Sequence, residues 1–147
     1  MLDAIFDPRR INMNLTSKTK GDVLKELVET VKKTDSALDR QELLDAITMR
    51  ENKMNTIIMP GVAVPHGYCN TIHGIIGTIG FSREGIEFDQ EYRDPVHLFF
   101  MLLMDGSSCE QHLYVLSRLL EMINSATLGE ITGIESSQEI YKLICRY

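Results

Sequence analysis

The chain of 147 residues has no apolar run close to the roughly 20 residues that a membrane-spanning helix needs. Its longest run, residues 98–104 (LFFMLLM), suits a buried strand instead. The opening MLDAIFDPRR has no charged lead followed by an apolar core, so it does not read as a secretory signal. Cysteine is scarce: Cys69, Cys109 and Cys145 are odd in number and widely spaced. Without an export signal they read as reduced thiols, and the chain as cytoplasmic. Positive charge is in the minority, with 15 Lys and Arg against 21 Asp and Glu, for a net charge of −6. Such a balance disfavours a nucleic-acid partner. The lysines at 18, 20, 25, 32 and 33 alternate with Asp22, Glu26 and Glu29, as on a solvated helix face. There is no internal repeat, low-complexity tract or linker. No GxGxxG, Walker-type loop or HExxH occurs, so nucleotide-loop and zinc-protease signatures are missing.

What is present fits one globular domain over residues 1–147: 44% hydrophobic and 24% charged residues. Residues 1–17 read as an irregular lead-in. Val23, Leu24, Leu27, Val28 and Val31 recur at helical spacing and predict a helix over 18–33. Asp39 and Glu42 have capping-box spacing, with Leu38 and Leu43 placed as a hydrophobic staple, so a second helix starts there. Arg50 falls on its last turn, before a connection of about ten residues. Strands are expected at 62–64, 75–81 and 96–104, the last apolar on both faces and needing cover on both sides. Glycines 74, 77 and 80 suggest close approach of a neighbour. Residues 83–85 read as a turn. Ser107 and Glu110 form a second capping-box pattern, before a helix with Leu113, Leu116, Leu119, Leu120 and Ile123 on one face. A short helix is expected around 125–131 and a last one from Ser136. The order predicts an α/β layered sandwich, its sheet flanked by helices on both faces.

Chemistry concentrates around residues 61–66, GVAVPH. Pro65 lacks a donor and should stop the strand, leaving His66 on a loop beside Gly67. His112 lies early in a helix, near its positive pole, and Arg50 ends the helix leading to the same strand. An arginine and a helix N-terminus suit an oxyanion or phosphate. Two imidazoles beside them would let one carry a phosphoryl group while the other donates a hydrogen bond; such transfer needs mainly alignment and charge neutralisation. Taken alone, a histidine after a strand such as His66 is more often just a surface residue; His73 and His97 weigh less, His73 reading as exposed and His97 as a hydrogen-bonded core or edge residue of an apolar strand. His66, Cys69 and His73, with Cys109 and His112, could offer atoms to zinc, but the spacing matches no paired-ligand knuckle. A Cys109–His112 nucleophilic pair is weaker than the plain reading of Cys109 as a small, partly buried residue.

Residues 50–66 (RENKMNTIIMPGVAVPH), 85–104 (GIEFDQEYRDPVHLFFMLLM) and the HL at 112–113, with the opening IFDPRRI, resemble the enzyme IIA domain of the fructose/mannitol/nitrogen-regulatory class of the bacterial phosphotransferase system. The resemblance covers nearly the whole chain. It implies an α/β sandwich with a mixed sheet, and a phosphotransferase component with no metal or organic cofactor. His66 would accept a phosphoryl group from an HPr-type carrier, His112 would hydrogen-bond its oxygens, and Arg50 would neutralise charge. The group would then pass to a IIB domain or serve as a regulatory mark on a target. The opening looks more like the nitrogen-regulatory branch, which favours the regulator. A non-enzymatic metal or interaction module is the remaining alternative. The sequence departs from the family where a glycine-rich run precedes the motif: Ile57 and Met59 stand at two glycine positions, with Pro60 after them. The segment near the site should therefore have another shape.

Overall fold

The computed structural model describes residues 1–107, 109–126, 130, 131 and 133–147. In chain order the described elements are α1 (Leu2–Ile5), β1 (Phe6–Asn12), α2 (Lys20–Lys32), α3 (Arg40–Lys53), β2 (Ile57–Met59), β3 (Val62–Ala63), β4 (His66–Tyr68), β5 (Ile75–Ile86), β6 (Val96–Met104), α4 (Cys109–Ser125) and α5 (Ser137–Ile144). The helix expected around 125–131 falls largely on residues outside this description.

The sheet runs β1-β5-β6-β3-β2, with β4 also paired to β6. It is mixed: β1 is parallel to β5, β3 and β4 are parallel to β6, and β5 is antiparallel to β6. Alternation along β6 splits the core. Leu98, Phe100, Leu102 and Met104 join the apolar layer under α1, α4 and α5. Phe99, Met101 and Leu103 join the layer under α2 and α3. The strand apolar on both faces is thus covered on both, as its composition requires.

Helix starts follow the capping chemistry. Thr19 accepts from the Asp22 amide, Asp39 from Glu42 and Ser136 from Glu139. Leu38 and Leu43 are both buried in one cluster. The Glu42 carboxylate does not close its capping box. It accepts instead from the Asn70 and Thr71 amides and the Thr71 hydroxyl, tying α3 to the end of β4. At 107–110 the capping reading fails. The Ser107 hydroxyl donates to Asp105 Oδ1 instead of capping, and α4 is described from Cys109 onward.

Several expectations need correction. Residues 2–12 are not irregular: they form α1 and the edge strand β1. Pro8 is tolerated there because an edge strand has an unpaired side, and the ladder to β5 slips between Phe6 and Ile11. Residues 83–85 are not a hairpin turn but an irregular stretch inside β5, where Gly85 takes a φ of 81°. The connection before β3 contains β2, antiparallel to it. The buried face of α4 is rotated from the expected one: His112, Val115, Leu119, Met122 and Ile123 point inward, while Leu113 is exposed. The close approach at glycine is borne out twice. A Cβ on Gly77 would lie 2.5 Å from the Phe6 ring, and one on Gly80 2.6 Å from Leu27.

Candidate functional site

β3 ends before Pro65, as expected, but the chain stays on the sheet and a new strand begins at once. Val62 and Ala63 pair with Leu98 and Phe99, and His66 rejoins the same strand opposite Leu102. Across the gap the Pro65 carbonyl accepts from the Leu102 amide at 2.9 Å, and the Val64 amide donates to the Thr56 carbonyl at 2.9 Å. His66 therefore sits at the start of β4 and not on a free loop. Its Nδ1 lies 2.9 Å from the Val64 carbonyl. A carbonyl only accepts, so Nδ1 carries the hydrogen and Nε2 keeps its lone pair. Burial lowers the pKa of the ring below its ordinary value of 6.5, and the Arg50 charge pushes the same way. The Val64 carbonyl and the Glu51 carboxylate oppose this shift without cancelling it. His66 is thus a neutral imidazole with a free Nε2 at neutral pH.

Arg50 shares with His66 a pocket of about 330 Å³, whose walls include Met54, Ile57, Ile58, Leu116 and Leu120. The Arg50 guanidinium donates through Nη1 to the Met54 carbonyl at 2.8 Å, which holds it at the C-terminal end of α3. Behind it the Glu51 carboxylate, only 2% exposed, accepts from the Thr56 amide at 2.9 Å and its hydroxyl at 2.7 Å. Lys20 Nζ lies 3.4 Å from the same carboxylate. Glu51 thereby clamps the end of α3 to the segment entering β2. All non-glycine residues of that segment take negative φ, so Ile57 and Met59 need no glycine there.

His112 stands one turn before Leu116 on α4. Its ring packs against Tyr68, two residues beyond His66, with centroids 5.3 Å apart. Its Nε2 lies 3.7 Å from Asp105 Oδ1. His112 makes no hydrogen bond to His66 or Arg50, so the structure joins Arg50 and His66 in one pocket and sets His112 beside it. Glu51 and Asp105 were not legible as site residues. Glu51 left one signal, a charge at the buried phase of α3 set by Leu43 and Ile47.

The other candidates separate. Cys69 packs in the α2–α3 layer, and burial pushes its thiol up to about 11. His73 is exposed, and His97 Nδ1 donates to the Ser82 carbonyl at 2.8 Å. Cys109 is exposed, with no hydrogen bond to the buried His112. Among the described residues, no three His, Cys, Asp or Glu side chains are grouped to hold a metal ion.

Three exposed apolar side chains, Met54, Ile58 and Leu120, line the pocket itself. Among the described residues, the exposed large hydrophobics are Met1, Met49, Met54, Ile58, Tyr68, Leu113, Tyr114 and Leu120. All but Met1 lie on or just after α3, β2, β4 and α4, the elements that carry Arg50, His66 and His112. No described helix is long and apolar enough to cross a membrane.

Fold and site together define a mixed-sheet α/β sandwich that offers a neutral imidazole and an arginine inside an apolar rim. The chain belongs to the family described as phosphoenolpyruvate-dependent sugar phosphotransferase system, EIIA 2, whose model matches residues 4–147. It is a family of phosphotransferase components. The chain is 32% identical over 135 residues to the "PTS system fructose-specific EIIABC component" of Bacillus subtilis, covering 91% of this chain but spanning only 21% of that protein. It is 24% identical to the "Nitrogen regulatory protein" of Pseudomonas aeruginosa, over 97% of this chain and 94% of the relative. Its fold is that of the nitrogen regulatory protein IIA-Ntr from Neisseria meningitidis, with a TM-score of 0.87, 24% identity and coverage of 97% and 98% of the two chains. It also matches IIAMtl in the Escherichia coli "Complex of enzyme IIAMTL and phosphorylated enzyme IIBMTL", with a TM-score of 0.79, 18% identity and coverage of 97% and 99%.

Proposed function

We propose that this chain is a phosphohistidine protein that accepts a phosphoryl group on His66 Nε2 from an HPr-type carrier and acts as a regulator of the nitrogen type. One observation carries the reading: Nδ1 is committed to the Val64 carbonyl, so a neutral ring presents a free Nε2 lone pair beside the Arg50 guanidinium. In transfer the lone pair forms a new N–P bond as the carrier's N–P bond breaks, and that electron pair returns to the carrier's ring nitrogen. Arg50 neutralises charge on the oxygens in flight, and His112 hydrogen-bonds them once they arrive. The apolar rim suits docking of a protein that brings the group to the pocket. Phosphorylation adds about −1.5 to −2 charge at the centre of that rim, enough to change which partner binds.

The regulatory branch is supported by the near full-length match to the Pseudomonas protein and by the likeness to IIA-Ntr. A second reading, passage to a IIB domain for fructose or mannitol uptake, is favoured by the 32% identity to the Bacillus component. Incubation with phosphorylated carrier tests the proposal. It requires an acid-labile, base-stable phosphate that is absent in His66→Ala; lack of any label removes the proposal. Adding IIB domains then separates the branches: label that moves on supports transport, and label that stays while a target is bound or released supports regulation.

A further inference from the structure

His112 is 1% exposed, and its Nδ1 is the only fully buried side-chain nitrogen or oxygen without a hydrogen-bond partner among the described residues. Such a group costs free energy unless a ligand supplies its partner. The other ring nitrogen faces a carboxylate: Asp105 Oδ1, at 3.7 Å from Nε2. That carboxylate is fixed from three sides. Oδ2 accepts from the Gly74 amide at 2.6 Å, and Oδ1 accepts from the Ser107 amide at 3.0 Å and the Ser107 hydroxyl at 2.6 Å. The Ser107 hydroxyl, the Gly74 amide and the Ser107 amide hold its pKa down at about 2, so it remains ionised throughout the physiological range.

We infer that Asp105 is a positioning residue that sets the proton arrangement of His112. A lone pair on Nε2 would repel the carboxylate, so the Nε2–H tautomer is held and Nδ1 is left bare. The inference rests on the proposed function in one respect: the partner awaited by Nδ1 is a phosphoryl oxygen on His66. A bare lone pair cannot meet that oxygen. When the phosphoryl group arrives, His112 must take one proton from solvent onto Nδ1. It becomes an imidazolium held between Asp105 and the phosphoryl group, and it returns the proton when the group leaves. A carboxylate or a backbone carbonyl facing one ring nitrogen commonly decides which nitrogen of an imidazole carries the hydrogen. Among the described residues, the charged or titratable groups near His112 are Asp105 after β6 and Tyr68 on β4, with the exposed Cys109 and Glu110 earlier on its own helix; His66 and Arg50 belong to the neighbouring pocket, which Leu116 of the same helix lines.

Nitrogen-15 correlation spectra of the histidine rings test this in two stages. In the unphosphorylated wild-type protein the His112 ring is expected as the Nε2–H tautomer; an Nδ1–H ring would overturn the inference whether or not His66 accepts phosphate. After phosphorylation by the carrier, both nitrogens of His112 should carry protons, with uptake of one proton per phosphoryl group. Asp105→Asn should mix the tautomers, abolish that uptake and lower phospho-His66 at equilibrium about tenfold, a loss typical of one charge-assisted hydrogen bond. Ser107→Ala keeps the charge and loosens the carboxylate, so it should retain the tautomer and most of the transfer. If Asp105→Asn is folded and keeps the wild-type tautomer and transfer, Asp105 has no such role. If Asp105→Asn fails to fold, the wild-type spectra decide alone. Failure of His66 to label at all defeats the proposed function but leaves the tautomer result standing on its own.

Discussion

His66 is a histidine whose surroundings favour the uncharged ring. Its pKa lies below 6.5 because burial and the Arg50 charge penalise the imidazolium. Below pH 6.5 the unfolded chain gains a proton at this ring that the folded chain refuses. Folding stability therefore falls as the pH drops from 6.5 through the lowered native value, and is level beyond it. Urea titrations across that window should show the slope in the wild type and a shallower one in His66→Gln. Asp105 works in a lower window. Its native pKa of about 2 lies below the ordinary 3.8, so its contribution is complete above 3.8 and is lost as the pH falls towards 2. Glu51 is a structural counterpart with two donors of Thr56 bound to a buried carboxylate. Glu51→Ala leaves both unpaired and should cost about 1–3 kcal/mol in a denaturant titration. It should also slow labelling of His66, since Thr56 borders the pocket. Arg50 and His66 stood out in the sequence as candidates from their types and their places at a helix end and a strand break. The choice between the ring nitrogens was not legible, because it depends on a carbonyl two residues away whose direction is set only when β3 and β4 pair with β6.

At the scale of elements, β1 and α4 carry the instructive differences. Pro8, between Asp7 and two arginines, erased the alternation that marks a strand, yet the edge of a mixed sheet accepts such a segment. Phe6 holds it down by packing over Gly77, where an added Cβ would meet the ring at 2.5 Å. Gly77→Ala should therefore destabilise by about 1–3 kcal/mol, the usual cost of overpacking, as read from thermal unfolding. In α4 the leucines at 113, 116, 119, 120 and 123's isoleucine form a helical stripe, and periodicity reads such a stripe as core. The structure assigns Leu119 to the core and leaves Leu113, next to His112 in the chain, exposed. Leu119→Ala should cost about 2–5 kcal/mol, while Leu113→Ala should leave stability within about 0.5 kcal/mol. Apolar periodicity reports that a face avoids water; it does not tell a permanent neighbour from a visiting one.

Over the whole molecule, the sheet separates two apolar layers and brings α3, β2, β4 and α4 to one surface. The α/β layering was legible because helix stripes, caps and the doubly apolar β6 left few alternatives; that the sheet is mixed came only from the family resemblance. The concentration of exposed apolar side chains on this surface was not legible, because it gathers residues from positions 49 to 120. If that surface docks the carrier, Met54→Asp or Leu120→Asp should raise the carrier concentration needed for half-maximal labelling about tenfold, with unfolding midpoints unchanged. The central claim is that Nε2 of His66 takes the phosphoryl group while Nδ1 keeps its bond to Val64. Phosphorus–nitrogen correlation spectra of the nitrogen-15-labelled, carrier-phosphorylated protein measure this directly. The expected result is one phosphoryl group on His66 Nε2 with the Nδ1–H signal retained; a group on Nδ1, on another residue, or none at all would contradict it.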